Sequence, residues 1–284
     1  MKFYLSQADL FVPDGTVFPA ALARTTHLCI GAHQDDQEFM AYHGIAACFQ
    51  TPNRWFTGVT VTNGSGSSRC GPYAGYTDEE MVAVRRGEQR KAAVVGEYAC
   101  QVQLDYTSSS VKDPADGNVV ADLEQILAVA KPDVVYLHNP ADKHDTHVAV
   151  LSRSLTALRK QPAADRPQRV LGCEVWRSLD WLLDEEKQVM PVDAHPNLAA
   201  SLSGLFDSQI TGGKRYDAAV AGRRMANATF YESHATDQHN ALAWAIDLAP
   251  LVADPSLDLG EYTRGFIERF GDDVAQRIQQ FGGA

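Results

Sequence analysis

The sequence predicts an α/β fold in which a mostly parallel sheet is covered by helices on both faces. Between about residues 26 and 180, short apolar or β-branched runs alternate with longer segments of helical spacing. This alternation is typical of βαβ units and of a parallel sheet. The length of 284 residues suits one large domain or two small ones, with a sizeable core in either case.

The predicted elements follow one another without a convincing linker. Buried or β-branched runs predict strands at 27–32, 55–62, 100–107, 133–139 and 169–179. Helical spacing predicts helices over 35–49, 77–98, 118–131 and 145–160. Thr77 suits an N-cap, acidic residues follow it, and Gly96 lies near the end of that helix. We expect the strands, numbered along the chain, to lie in the order 3-2-1-4-5.

The two ends of the chain have a different pattern from this core. The first 25 residues have no clear periodicity and predict an irregular lead-in. Residues 181–284 are mostly helical in pattern, including the segment NALAWAIDLAPLVA at 240–253. We therefore expect one domain over 1–284, with an α/β core at 26–180 and a helical C-terminal extension packed on it.

Composition and charge exclude several classes of function. The formal net charge is −11, which argues against binding to nucleic acid or to anionic membranes and favours a multivalent cation. The chain has no apparent signal peptide and no apolar run long enough to span a membrane. Its five cysteines are scattered and include no CxxC pair, which indicates reduced thiols in a cytoplasmic protein.

Two clusters of metal-type ligands follow the first and fourth predicted strands. The first contains His33, Asp35, Asp36 and Glu38; the second contains His138, Asp142, His144, Asp145 and His147. In the expected strand order these strands are neighbours at the point where the order reverses, which is where open α/β sheets bind ligands. Two imidazoles and a carboxylate suit catalytic zinc with an open position for water. A second carboxylate could accept a proton, and another imidazole could stabilise an oxyanion.

These residues also carry a family resemblance. The segment AHQDDQEF resembles the AHPDDE signature of the LmbE-like (PIG-L) zinc-dependent N-deacetylases. The segment KPDVVYLHNPADKHDTHVAV resembles the second block of that family, in which a strand leads into an H-x-x-H element. RRGEQRKAAVVG fits the family's R-x-x-E-x-x-x-A-x-x-x-G helix, and FDSQ at 206–209 is a weaker match. The resemblance covers about residues 26–150 and implies a Rossmann-like fold.

The resemblance implies a role for each matching residue. His33, Asp36 and His147 match the ligands of one zinc ion per chain, a site that would also accept other divalent first-row ions. Asp35 matches the general base, and His144 matches the histidine that stabilises the tetrahedral intermediate and helps the amine to leave. A further match, Arg85, corresponds to an arginine that contacts sugar hydroxyls.

The sequence departs from the family pattern at three places. Gln34 replaces a proline, Gln37 replaces the signature glutamate, and the second block is H-D-T-H where the family has H-P-D-H. The aspartate that orients a histidine is therefore displaced, and either Asp145 or Asp142 could substitute for it. Glu38 is expected to lie next to the metal ligands without binding the ion itself. Among the other histidines, His138 and His43 are expected to be structural, and His234 to line the substrate pocket.

The function predicted from these features is hydrolysis of the acetyl group from an N-acetylated amino sugar or its conjugate, with zinc as cofactor. Hydration of an unsaturated dicarboxylate at the same metal site is an alternative, for which the available cations are Arg69, Arg85, Arg86, Lys214 and Arg215. A metal-binding protein without catalysis is another alternative. A nucleotide-binding oxidoreductase is disfavoured, because no glycine-rich turn follows the first strand. The expected partner is a small molecule, and a homo-oligomer is left open.

Overall fold

The protein is built around one eight-stranded mixed sheet in a computed structural model, which describes residues 1–282. The strands are β1 (Asp9–Phe11), β2 (His27–Gly31), β3 (Phe56–Thr62), β4 (Cys100–Tyr106), β5 (Val134–His138), β6 (Arg169–Cys173), β7 (Gln188–Pro191) and β8 (Leu242–Asp247). They lie in the order β1-β4-β3-β2-β5-β6-β8-β7. Five adjacent strands, β4, β3, β2, β5 and β6, pair in parallel, so the fold class predicted from the sequence is confirmed.

Twelve α-helices accompany the sheet over the described residues. They are α1 (Phe18–Ala23), α2 (Asp36–Met40), α3 (Tyr42–Cys48), α4 (Asp78–Val95), α5 (Ser108–Lys112), α6 (Asn118–Ala130), α7 (Asp145–Lys160), α8 (Pro196–Gly204), α9 (Asp207–Ile210), α10 (Tyr216–Phe230), α11 (Ala249–Ala253) and α12 (Leu259–Phe281). None of the helices described is long and apolar enough to cross a membrane.

Two hydrophobic clusters cover the two faces of the sheet. Successive side chains of a strand point to opposite faces, and in β5 Val135 and Leu137 belong to one cluster while Tyr136 belongs to the other. Helices α1, α6, α7 and α11 contribute to the first cluster, and α2, α3, α4 and α8 contribute to the second. The parallel strands are therefore buried on both sides, as the sequence predicted.

The strand order agrees with the prediction only in the centre of the sheet. The strands predicted as 3-2-1-4-5 are β4-β3-β2-β5-β6, and they lie in that order. The full sheet is larger, because β1 pairs with β4 and β8 pairs with β6, both antiparallel. The sequence also predicts no element before residue 26, whereas β1 and α1 form there.

The prediction of a helix over residues 240–253 was wrong for its first half, which forms β8. The side chains of Trp244, Ala245 and Ile246 are fully or almost fully buried, and a short apolar run that is buried on both faces has no period that separates strand from helix. Pairing with β6 and β7 decides the outcome. The C-terminal extension is therefore not simply a helical layer, since two of its segments complete the sheet.

Local signals position α4 as predicted. The Thr77 hydroxyl accepts a hydrogen bond from the Glu80 amide, and the Glu80 carboxylate accepts one from the Thr77 amide. This reciprocal cap fixes the first turn of the helix. The predicted helix over 35–49 is instead divided into α2 and α3 at Ala41.

Candidate metal centre and active-site cavity

The two predicted ligand clusters lie side by side at the carboxyl ends of β2 and β5. These strands are hydrogen-bonded neighbours, and the chain proceeds from β2 towards β3 and β4 on one side before it returns to β5 on the other. The reversal of direction leaves room outside the strand ends. His33, Asp36, His144 and His147 meet at this point.

The donor groups of three side chains form a nearly regular triangle at the base of the site, in which each histidine faces a different oxygen of Asp36. His33 Nδ1 is 3.2 Å from His147 Nε2 and 3.4 Å from Asp36 Oδ2, and His147 Nε2 is 3.5 Å from Asp36 Oδ1. Donor atoms around tetrahedral zinc, with bonds of about 2.0–2.2 Å, lie about 3.3–3.5 Å apart. The spacing and the donor types therefore fit a divalent first-row ion.

The protonation states also suit metal binding. Burial lowers the pKa of His147 to about 4, which leaves its imidazole neutral. Burial by itself raises the pKa of Asp36, but the surrounding imidazoles of His147 and His138 bring it well below its ordinary value. A neutral imidazole and an ionised carboxylate are the forms that bind a cation without first losing a proton.

His147 belongs to two groups of ligand-type side chains, one with His33 and His144 and the other with Asp36 and His138. His138 Nε2 already accepts a hydrogen bond of 2.9 Å from the Ala32 amide, which engages its lone pair. Its ring is fully buried and stacks on His147 with centroids 3.9 Å apart. This contact agrees with the structural role predicted for His138.

Asp142, and not Asp145, lies beside the ring nitrogen of His147 that does not face Asp36. Its Oδ2 is 3.5 Å from His147 Nδ1, and its carboxylate accepts hydrogen bonds from the amides of His144 and Trp176. Burial raises its pKa, but the interactions with His147, with the His144 amide and with His138 together outweigh this effect and lower it. Asp145 is exposed in the first turn of α7. Of the two aspartates left open by the sequence, the structure brings only Asp142 into contact with His147.

Asp35 is held in an unusual conformation beside this group. Its φ is 89°, in the region that non-glycine residues rarely adopt, and its amide donates to Gln89 Oε1 over 3.1 Å. Its Oδ2 accepts a hydrogen bond of 3.0 Å from Arg85. Burial raises its pKa to about 7 although Arg85 opposes the shift. A buried carboxylate with this pKa can accept or release a proton near neutrality.

Arg85 is a buried support of the loop as well as part of the cavity wall. Its guanidinium donates to the Gln34 carbonyl and to Asp35, and it lies 3.6 Å from Glu88 Oε2. Glu88 in turn accepts two hydrogen bonds of 2.7 Å from the amide and hydroxyl of Ser208. This contact joins the R-x-x-E helix to the FDSQ segment, two motifs that are far apart in the sequence.

The departures from the family signature are accommodated away from the ligands. Gln34 donates to the Thr62 carbonyl and to Gln103, and Gln37 donates to Thr60 over 2.6 Å. Gly58 provides the space for Gln37, because a Cβ there would lie 1.8 Å from Gln37 Oε1. Both glutamines thus dock on β3 and β4. Glu38 is also buried behind the site and accepts hydrogen bonds from Gln89 and Tyr98.

A cavity of about 600 Å³ opens above the triangle. His33, Asp35, Asp36, Arg85 and His144 contribute to its lining. The remaining wall includes Phe39, at the end of the first motif, and residues from segments that the sequence did not single out, among them Val175, Trp176, Tyr216, Val220 and Arg223. These residues come from α2, the segment after β6 and α10, and no local pattern links them. His234 is exposed on the segment between α10 and β8 and does not line this cavity.

Aromatic rings extend from the histidines into the cavity. The His144 ring stacks on His147 at 4.5 Å and meets Trp176 at 6.2 Å, and Trp176 packs edge-on against Tyr216 at 5.9 Å. The Lys214 ammonium lies 5.3 Å from the Trp176 ring centroid. The cavity therefore has polar groups at one end and an aromatic wall with a cationic rim beside them.

Comparison with known proteins gives the family of the chain. The family model described as PIG-L, GlcNAc-PI de-N-acetylase, matches residues 28–182, which is just over half of the sequence. This chain belongs to the PIG-L family. The match contains both ligand clusters and the whole of α4. No protein of curated function matches this PIG-L sequence significantly.

Solved structures share its fold at low sequence identity. The N,N'-diacetylchitobiose deacetylase from Pyrococcus horikoshii has a TM-score of 0.63 and 15% identity, covering 81% of this chain and 86% of that chain. The 4-carboxy-2-hydroxymuconate hydratase from Pseudomonas putida has a TM-score of 0.60 and 17% identity, covering 79% and 95%. A zinc-inhibited form of teicoplanin deacetylase has a TM-score of 0.56 and 15% identity, covering 78% and 97%.

Proposed function

We propose that this PIG-L protein, acting as one domain over the whole chain, is a metal-dependent hydrolase that removes an acetyl group from an N-acetylated amino sugar or its conjugate. The observation that carries the proposal is the triangle of His33, Asp36 and His147 at the base of the cavity, with Asp35 and His144 beside it. The family match supports amide hydrolysis, and the diacetylchitobiose deacetylase shares the fold.

The proposed mechanism assigns a task to each side chain. Zinc or a similar ion held by His33, Asp36 and His147 would supply Lewis acidity, polarising the amide carbonyl and lowering the pKa of water. Asp35, oriented by Arg85 and by its constrained backbone, accepts a proton from the attacking water and passes it to the departing amine. His144 donates a hydrogen bond to the carbonyl oxygen as negative charge develops there. Asp142 holds His147 in orientation through Nδ1.

Replacement of the proposed base tests this mechanism. Asp35→Asn keeps the shape of the side chain but cannot accept the proton, so we expect turnover to fall by about 10²–10⁴-fold with unchanged metal content. Product amine would be measured by fluorescent labelling with N-acetylglucosamine, N,N'-diacetylchitobiose and larger conjugates as substrates. The matched control is Asp145→Asn, which should retain activity within about twofold because Asp145 is exposed. Full activity of Asp35→Asn would overturn the mechanism.

A second candidate, hydration of an unsaturated dicarboxylate, is favoured by the cations around the cavity. Lys112, Lys214 and Arg223 line it together with Arg85. Of the cations suggested by the sequence, three are paired elsewhere: Arg69 with Asp78, Arg86 with Asp105 and Arg215 with Asp217. The hydratase from Pseudomonas putida shares the fold.

The two candidate reactions give different products. Hydration consumes the conjugated double bond and removes its ultraviolet absorbance without releasing an amine, whereas deacetylation releases a primary amine. For hydration, Lys214→Met should raise KM for a dicarboxylate and leave the KM of a neutral N-acetyl sugar unchanged. Amine release from neutral sugars together with stable absorbance of the dicarboxylate would exclude this second candidate.

A further inference from the structure

The second half of α12 projects from the body of the molecule, to which Arg269 joins it through an ion pair with Glu186. Up to Phe266 the helix packs on the core, where the Tyr262 hydroxyl donates to the Asp247 carbonyl over 2.8 Å. From residue 267 to residue 281 every residue except Asp273 is exposed. At 1.5 Å per residue this segment is about 21 Å long. We refer to residues 267–281 as the projecting segment.

An apolar stripe runs along one side of the projecting segment. It consists of Ile267, Phe270, Val274, Ile278 and Phe281, whose exposed fractions lie between 37% and 78%. The residues are separated by three, four, four and three positions, so they share one face of the helix. Single exposed apolar residues are common, but five in one helical row mark an interaction surface.

The projecting segment has little reason to stay helical by itself. Isolated helices of about 15 residues are marginal in water even with good helix formers. This one contains Gly271 followed by Asp272 and Asp273, which are weak helix formers. Its internal support is the pair between Arg277 and Asp273, worth about 0.3–0.5 kcal/mol on an exposed helix. Another apolar surface that covers the stripe would provide the missing stabilisation.

We propose that the stripe is the dimerisation surface of this protein and that it pairs antiparallel with the same stripe of a second copy, about a two-fold axis at Val274. The spacing of three, four, four and three is palindromic. An antiparallel pair centred on Val274 therefore matches Ile267 with Phe281 and Phe270 with Ile278, so every stripe residue meets an apolar partner. Such a self-complementary face is what a two-fold interface requires.

The charges of the segment favour this orientation and this occupant. In the antiparallel pair, Arg277 of one copy lies opposite residue 271 of the second copy and within one helical turn of its Asp273, which flanks the stripe on the same side as Arg277. A parallel pair would instead place like charges at the same height. Three acidic residues (Glu268, Asp272, Asp273) and two arginines (Arg269, Arg277) give a net charge of −1. A low negative charge lets two copies approach and does not attract an anionic membrane.

The size of the surface determines the strength of the dimer. Five apolar side chains from each copy bury on the order of 1,000 Å² in total, which is at the lower end of specific interfaces. We therefore expect a dimer whose population depends on protein concentration. This inference does not depend on the proposed function.

Sedimentation velocity of the full chain over a range of concentrations tests the proposal. The native chain should shift from monomer to dimer, and Val274→Asp combined with Ile278→Asp should raise the dissociation constant by about tenfold or more, because two charges enter an apolar contact. The matched control is Phe230→Asp on α10, also at an exposed apolar position, which should dimerise like the native chain. Circular dichroism would verify that each variant is folded. A native chain that stays monomeric throughout, or a double variant that dimerises normally, would overturn the proposal.

Disulfide trapping tests the orientation. In a Cys70→Ser background, which removes the exposed thiol and leaves four buried ones, Val274→Cys should form a disulfide-linked dimer. Ile267→Cys alone should not, whereas a mixture of Ile267→Cys and Phe281→Cys chains should. Efficient self-crosslinking of Ile267→Cys would indicate a parallel pair and would contradict the palindromic register.

Discussion

The metal centre and the projecting segment of α12 differ in opposite ways from the usual pattern, in which polar groups are exposed and apolar side chains are buried. At the carboxyl ends of β2 and β5, polar groups such as Asp36 and His138 are withdrawn almost completely from water. On α12, large apolar side chains such as Ile278 and Phe281 are left largely in water. Burial of charges and exposure of apolar rows both cost free energy.

The difference shows what each region requires to be complete. The buried carboxylates are next to imidazoles at the spacing of a tetrahedral cation site, so an ion would offset their mutual repulsion. The exposed apolar residues share one helical face, so a second apolar surface would offset their hydration. Each departure thus predicts a missing partner, an ion in one case and another protein chain in the other.

Removal of a metal ligand should have the largest effect on metal binding and activity. A variant without this effect would contradict the conclusion that the metal centre requires an ion. In His147→Ala we expect loss of metal binding and of activity, because one corner of the donor triangle is missing. Added Zn²⁺ should stabilise the native chain, by about 2.7 kcal/mol at one hundred times the dissociation constant, and should not stabilise the variant. Thermal unfolding with metal analysis would measure both. Equal stabilisation of the variant would exclude these residues as the site.

A smaller effect on metal affinity or activity is expected from a change in the aspartate that orients His147. This test distinguishes Asp142 from Asp145 in that role. Asp142→Asn should weaken metal affinity or activity by about 10–100-fold, because it alters the group that orients His147. The effect of Asp145→Asn on metal affinity should be negligible. Titration with a competing chelator would give the two affinities. If Asp145→Asn had the larger effect, the orienting role would belong to Asp145.

The smallest expected effect is on the pH dependence of stability. Burial lowers the pKa of His43 to about 4, against about 6.5 in the unfolded chain, so the unfolded chain binds more protons between these values. The contribution of this residue to the free energy of unfolding should therefore be constant well above pH 6.5 and fall as pH decreases towards 4. His43→Asn should flatten the curve in urea denaturation.

A control substitution on α12 should leave the pH dependence of the free energy of unfolding unaltered. Phe281→Ser affects an exposed residue with no titratable group and should not change the slope at concentrations where the protein is monomeric. An unchanged slope in His43→Asn would mean that another group, such as His27, whose pKa burial also lowers to about 4, carries the dependence.

The sequence predicted most of the central sheet because the signals there are local. β2 and β5 are apolar runs that end in polar residues, and Thr77 caps α4 through residues only three positions away. Such signals need no knowledge of distant segments. The same reasoning failed at 242–247, where a buried run has no distinctive period, and at His234, whose polar surroundings in the sequence do not bring it to the cavity.

By itself, the sequence determined the family resemblance, the positions of the central strands and the identity of the clustered ligand-type residues, because these depend on local patterns. Only the tertiary structure decided that Asp142 contacts His147 whereas Asp145 is exposed, that Gln34 and Gln37 dock on the sheet, and that Trp176 and Tyr216 form the cavity wall. These relations join residues far apart along the chain. They depend on where β6, α10 and the loop after β2 meet, which no local pattern encodes.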